Sequence, residues 1–179
     1  MSVLHIIPSA FEYFTDINTD AWKWVNKLNK KGVDTDVFTL QYGVVPFLKM
    51  EEKGKGKKKF GTRNYTDTVS INEAMADWDK YELIHLHCPF LGAAGKILRW
   101  KKLNPSIPLV VTIHRPVRIV DLIALGIRWY NGYYLPKIIR AADIVWYRYK
   151  EDRKDLTDDQ IVKDFVNIYS QLLTNKQDI

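Results

Sequence analysis

Cysteine is nearly absent from this chain. Cys88 stands alone, which excludes an intramolecular disulfide and suits a reducing compartment. Long hydrophobic runs are also missing: no stretch approaches the ~18 apolar residues of a membrane-spanning helix. The first residues lack the charged-then-apolar pattern of a signal peptide, so a cytoplasmic location is the expectation. The segment PSAFEYFTDIN, residues 8–18, contains no glycine where a dinucleotide-binding turn would need several. A Gly-x-Gly-x-x-Gly phosphate cradle is therefore absent from the first turn. Acidic residues are missing from KGKGKKKFGTR, residues 53–63, although the chain as a whole carries 21 of them.

What remains is an ordinary soluble composition, 46% hydrophobic and 27% charged, with a net charge of +6 that favours anionic partners. Phospholipid headgroups, a phosphorylated substrate and nucleic acid all fit that charge. Aromatics interleaved with cations can stack bases, but no nucleic-acid-binding module matches the alternating strand and helix pattern, and that partner is disfavoured. Tryptophans and tyrosines crowd positions 129–149.

Short apolar runs alternate with helical periodicity along the chain. Strands are expected at Val3–Ile7, Asp36–Leu40, Leu83–His87, Leu109–Ile113 and Asp143–Tyr147, the first central in the sheet. A helix from about Thr19 to Lys31, capped by Asn18 or Thr19, should stop at Gly32. Residues 41–67 read as a mobile loop or β-hairpin. Ser70 and Glu73 have capping-box spacing and predict a short helix to about Trp78. A crossover helix is expected over Gly92–Lys102, with Leu91, Ala94, Leu98 and Lys101 on one face. A helical piece before Gly126 and another from Asn131 to Ala141 follow, the latter kinked or restarted at Pro136. After a charged linker at 151–156, Thr157 and Gln160 repeat the capping-box spacing and open an amphipathic helix through about residue 175, with Ile161, Phe165, Ile168 and Leu172 or Leu173 inward. The alternation predicts an α/β fold: a doubly wound, mostly parallel, Rossmann-like sheet over residues 1–150, with the last helix packed back on it.

The unit YELIHLHCPFLGAAGKILRWKKLNPSIPLVVTIHRP carries the candidate site. Both of its strands end in a histidine followed closely by a proline, and ligands of open parallel sheets bind at the carboxyl ends of strands. His85 and His87 share one strand face. A metal is not expected there, because zinc normally takes three or four ligands and no third one is near in sequence. Cys88 reads as a small buried hydrophobe.

Four segments, VLHIIPS, LNKKGVDTDVFTL, the histidine-bearing unit above and RAADIVWYRY, together resemble the amino-terminal domain of GT-B glycosyltransferases of the retaining family-4 type. The resemblance departs from the family pattern in two places. FEYFTDINTD stands where members usually have paired glycines. After Asp143 the paired glutamates of the carboxyl-terminal donor domain are missing, and TDDQIVKDFVNIYSQLL resembles the helix that returns to the amino-terminal domain. The resemblance implies an acceptor-binding half that transfers a sugar from a UDP- or GDP-sugar, with no permanently bound cofactor. It also implies that donor binding comes from a partner chain, a homodimer or a missing part of the same enzyme, and that His114 lies near the transferred sugar.

Ser9, His87, Pro89, Phe90 and Arg115 are the candidate acceptor or phosphate contacts; for Arg115 an ordinary surface arginine is the equal alternative. Lys55, Lys57, Lys58, Lys59, Arg128, Trp129 and Lys137 are candidate contacts to an anionic membrane surface, which would make the protein peripheral. A solvated lysine loop, and aromatics filling a dimer interface or the space of an absent domain, are the plainer alternatives. So is a non-enzymatic scaffold that kept the fold.

Overall fold

The computed structural model describes residues 1–8, 15–42, 52–58, 68–70, 75–91, 93–114, 128–153 and 155–177. Five parallel strands form its centre: β1 (Ser2–Ile7), β2 (Asp34–Tyr42), β5 (Leu83–Cys88), β6 (Leu109–Ile113) and β7 (Ile144–Tyr147). Two antiparallel strands, β3 (Glu52–Lys58) and β4 (Thr68–Ser70), extend one edge. The order is β4-β3-β2-β1-β5-β6-β7, so β1 is central as expected.

Strands buried on both faces present alternate side chains to two different helix layers. Val3 and Leu83 join Trp24 and Leu28 of α1 (Thr15–Lys30) and Ile161, Val162 and Phe165 of α4 (Asp158–Gln177). Leu4, Ile84, Leu86 and Val111 face the other way, onto Ala94, Ile97 and Trp100 of α2 (Ala94–Leu103) and Ile138 of α3 (Leu135–Ala141). The sheet is thus doubly wound. Connections leave β1 toward β2 and β5 toward β6 in opposite directions, so the switch point lies between β1 and β5. Ligands of such sheets bind beyond the carboxyl ends of the strands flanking that point.

Local chemistry sets the helix limits. Gly32 has φ +83°, and the Gly32 and Val33 N–H groups donate to the Asn29 and Leu28 carbonyls, closing α1 by a Schellman pattern that uses the αL freedom of glycine. The start of α1 is four residues earlier than the sequence predicts. Asn18 does not cap: its side-chain amide donates to the Pro8 carbonyl at 2.8 Å and ties the helix to the end of β1. The Thr157–Gln160 box forms as expected, with the Thr157 N–H on Gln160 Oε1 at 2.8 Å. Its helix buries Tyr169 fully, whereas Ile168 and Leu172 are only partly covered.

Some other expectations are corrected, and two are narrowed to one of their alternatives, the hairpin and the restart at Pro136. The inner face of α2 is Ala94, Ile97, Trp100 and Lys101, with Leu98 only half-buried. Gly54 and Gly56 lie within β3, paired with Leu40 and Phe38, so this piece of the 41–67 stretch is hairpin. Ser70 ends β4; Glu73 lies outside the described residues, and only 75–76 and a 3-10 turn at Trp78–Lys80 follow. The helix at Asn131–Ala141 is split. A π-turn at Tyr130–Tyr134, closed by the Leu135 N–H on the Tyr130 carbonyl, places Pro136 in the first turn of α3, where its missing N–H costs little. The piece expected before Gly126 lies outside the described residues.

Asp143 locks three elements. Its carboxylate accepts the Leu109 N–H at 2.7 Å and the Lys101 ammonium at 2.8 Å. Lys101 is 9% exposed and also donates to the carbonyls of Pro105 and Ile107. Removing the carboxylate leaves a nearly buried cation short of its counter-charge. Asp143→Ala should therefore lower the unfolding free energy by about 2–3 kcal/mol in urea titrations, and adding Lys101→Met should recover much of that loss. A single variant within about 0.5 kcal/mol of the parent would contradict this role.

Candidate functional site

All four histidines of the chain meet under α1 and α4. Period-two alternation puts Val3, His5 and Ile7 on one face of β1, and His85 and His87 on the same face of β5. His5 is the register partner of His85. His87 pairs with Thr112 on β6, two residues before His114. Neighbouring strands thus deliver the imidazoles side by side. His5, His85 and His87 are fully buried, and His114, just past the end of β6, is 5% exposed.

Three of the rings form a row. His5 Nδ1 lies 3.0 Å from His87 Nε2, and His87 Nδ1 lies 2.9 Å from His114 Nε2. A neutral imidazole has one N–H, so His87 donates to one neighbour and accepts from the other. The row is therefore polarised in one direction or the other as a unit. His85 is held separately, by Tyr169 at 2.5 Å on Nδ1 and by Thr112 at 2.7 Å on Nε2. Trp24 closes the outer end, stacked on His114 with centroids 5.0 Å apart and planes 9° apart. Phe165 meets His85 edge-on at 4.8 Å.

Burial holds His5, His85 and His87 neutral. Desolvation lowers His5 from 6.5 to about 3. Desolvation, then the other histidines, push His85 and His87 well below the ordinary range. Burial also raises the Tyr169 phenol well above its ordinary value and the Cys88 thiol to about 12. Cys88 is thus the inert small hydrophobe expected, accepting from the Tyr130 hydroxyl at 3.4 Å.

The other face of the same sheet edge carries a cavity of about 230 Å³, lined by Pro89, Ile113, Asn131, Leu135, Ile139 and Tyr149 among others. Ile113 lines it and His114 is the next residue. Phe90 is buried, its N–H donating to the Tyr130 hydroxyl at 3.2 Å. Trp129 and Tyr133 stack in the open, 59% and 48% exposed, and the Lys137 ammonium sits 3.4 Å from the Tyr133 ring centre. Arg128 is exposed beside them.

Among the residues predicted from sequence, the structure brings His87 and His114 together in the buried row, Pro89 to the cavity wall, and Arg128, Trp129 and Lys137 to one exposed patch. Lys55, Lys57 and Lys58 lie on β3, at the far side of β2. Ser9, Lys59 and Arg115 lie outside the described residues. Sequence reasoning missed His5, Trp24, Thr112 and Tyr169. For His5 and Thr112 the signal was present: a polar residue inside a strand buried on both faces must find a partner in the core.

The neutral cluster makes folding oppose protonation. The unfolded chain takes up protons near pH 6.5, whereas native His5, His85 and His87 do so only at much lower pH. Stability is thus complete above pH 6.5 and is lost as pH falls below it. Each such histidine contributes a slope of about 1.4 kcal/mol per pH unit, approaching about 4 for three. The unfolding midpoint of the metal-free chain in urea should be flat from about pH 7 to 8 and fall steeply from about 6 to 5, above the range of most carboxylates. A midpoint unchanged down to about pH 5 would contradict a neutral cluster.

No curated protein matches the chain. A family model, that of Glycosyltransferase Family 4, matches residues 18–163. That span starts within α1 and runs through β7 into α4, taking in His85, His87, His114, the cavity and the exposed aromatic patch. With the doubly wound sheet and most of its length matched, the chain belongs to Glycosyltransferase Family 4.

Proposed function

We propose that this chain is the acceptor-binding half of a retaining GT-B glycosyltransferase, acting on an acceptor with an apolar part, such as a lipid-linked sugar. The observation that carries the reading is His114. In a family-4 domain it follows β6, beside β5 at the carboxyl end of the parallel sheet, hydrogen-bonded to His87 and stacked on Trp24. An imidazole so fixed can hydrogen-bond a sugar hydroxyl without reorganising, which is where positioning contributes most. The cavity beside Ile113 supports the acceptor class: its wall is mainly apolar, with one amide, Asn131, and tyrosine hydroxyls to orient a polar end.

The donor would be a nucleotide sugar, as family membership implies, held by a separate donor-binding domain of the same protein, a partner chain or a second copy of this one. No helix among the described residues is long and apolar enough to cross a membrane. Contact with an anionic membrane surface would instead run through Trp129, Tyr133, Arg128 and Lys137, where rings enter the interface and cations meet headgroups. That patch also supports a second reading, a membrane-binding module without catalysis.

Two measurements separate these readings. Thermal shift against UDP- and GDP-sugars, then transfer assays with a lipid-linked acceptor, should give activity that falls at least about 100-fold in His114→Ala while folding is kept. No transfer under any donor or partner condition would sink the enzyme reading. Vesicle flotation should show binding to anionic but not neutral lipid, weakened about tenfold by Trp129→Ala with Lys137→Glu. Equal flotation with both lipids would remove the membrane surface from either reading.

A further inference from the structure

We infer that His5, His85 and His87 form a three-imidazole site for a transition-metal ion of the zinc or copper type. The pair His85 and His87 alone lacks a third ligand in sequence, and β1 supplies it: one nitrogen from each of the three rings lies within 4.8 Å of the others. His5 Nδ1 and His87 Nε2 already face each other at 3.0 Å. Two nitrogens bound tetrahedrally at zinc distances stand about 3.3 Å apart, so a cation enters between these two with a small opening of the pair.

The bonding capacity also fits. Among the described residues, His5 Nε2 is buried with no hydrogen-bond partner, so the native hydrogen-bond network leaves this ring half used. Releasing its one bond to His87 frees either nitrogen for a cation. No proton has to leave. With metal on His5 Nδ1, the proton rests on Nε2. With metal on His87 Nε2, Nδ1–H donates to His114. His85 binds through one nitrogen and keeps the other on Thr112 or Tyr169. Those outer contacts are the kind that orient metal-bound histidines in general. The ligand set is imidazole alone among the described residues, with Trp24 and Phe165 around it, which favours zinc or copper over calcium or magnesium.

The site holds every histidine of the chain except His114, and the single thiol, Cys88, is on the opposite face of the sheet. Imidazole signals from a tag-free chain therefore report this cluster with little background. Titration with cobalt(II) should give one equivalent with the intense visible bands of a four-coordinate ion, displaced by zinc. His5→Phe, which keeps the ring volume, should weaken cobalt binding about 100-fold or more, and His114→Gln by no more than about 10-fold. X-ray absorption of zinc bound to the unaltered chain needs no variant and should show at least three imidazole ligands. Absence of stoichiometric binding, binding unchanged in a folded His5→Phe, or fewer than three imidazoles on zinc would each overturn the site.

Discussion

The fold depends on a polar seam kept in a dry place. Three fully buried imidazoles and a fourth at the rim sit between the central strands and two helices whose buried contacts there are mainly aromatic and aliphatic. A buried imidazole is tolerated when it is neutral and hydrogen-bonded, and costly otherwise. That requirement fixes more than the rings. It sets the register of β1 against β5, because a slip of one residue would turn His5 to the other helix layer. It also places Tyr169 one turn beyond Phe165 on α4, so that a phenol rather than a hydrocarbon meets His85.

The last helix is thereby tied to the sheet by direction as well as area. Apolar contacts of Ile161, Val162 and Phe165 with Trp24 and Trp146 supply most of the burial but little orientation. Three polar contacts supply the angle: Tyr169 to His85, Trp24 Nε1 to Asp158 Oδ1 at 2.9 Å, and Lys27 to Asp159 at 2.8 Å. The last is a surface pair, so it adds alignment more than stability. The charged segment before this helix is accordingly a short connection, with a 3-10 turn at Glu151–Arg153, leading into a helix that belongs to the same core.

Much of the architecture was legible in the sequence because it follows from local rules. Branched apolar runs at 83–87 and 109–113 became strands, Gly32 stopped α1, and the Thr157–Gln160 spacing became a real box. Misreadings arose where tertiary partners outweigh local signals. Asn18 resembles a cap but serves the Pro8 carbonyl. Leu98 is as apolar as Ile97, and only the packing of α2 decides which turns inward. Lys101 is buried because three acceptors await it from outside its helix, something periodicity cannot reveal. The candidate site was half legible: His87 and His114 announce themselves by the prolines that follow them. His5 sits in an unremarkable strand, and its meaning comes only from the parallel pairing that sets it beside His85.

That pairing makes the four histidines one object instead of a residue of interest with three bystanders. Because His87 has both nitrogens engaged, His114 cannot change the tautomer it presents without reversing the whole row to His5. In one polarity His114 Nε2 accepts and its other nitrogen carries the proton; in the reverse polarity the roles exchange. His5 ends the row with Nε2 either as an unshared lone pair or as an unshared N–H, and these differ in cost in an apolar core. Whatever fixes that inner end therefore selects the hydrogen-bonding character of the imidazole at the rim. A cation on His5 and His87 would force the polarity in which His87 donates to His114, leaving His114 to present an N–H to whatever it meets.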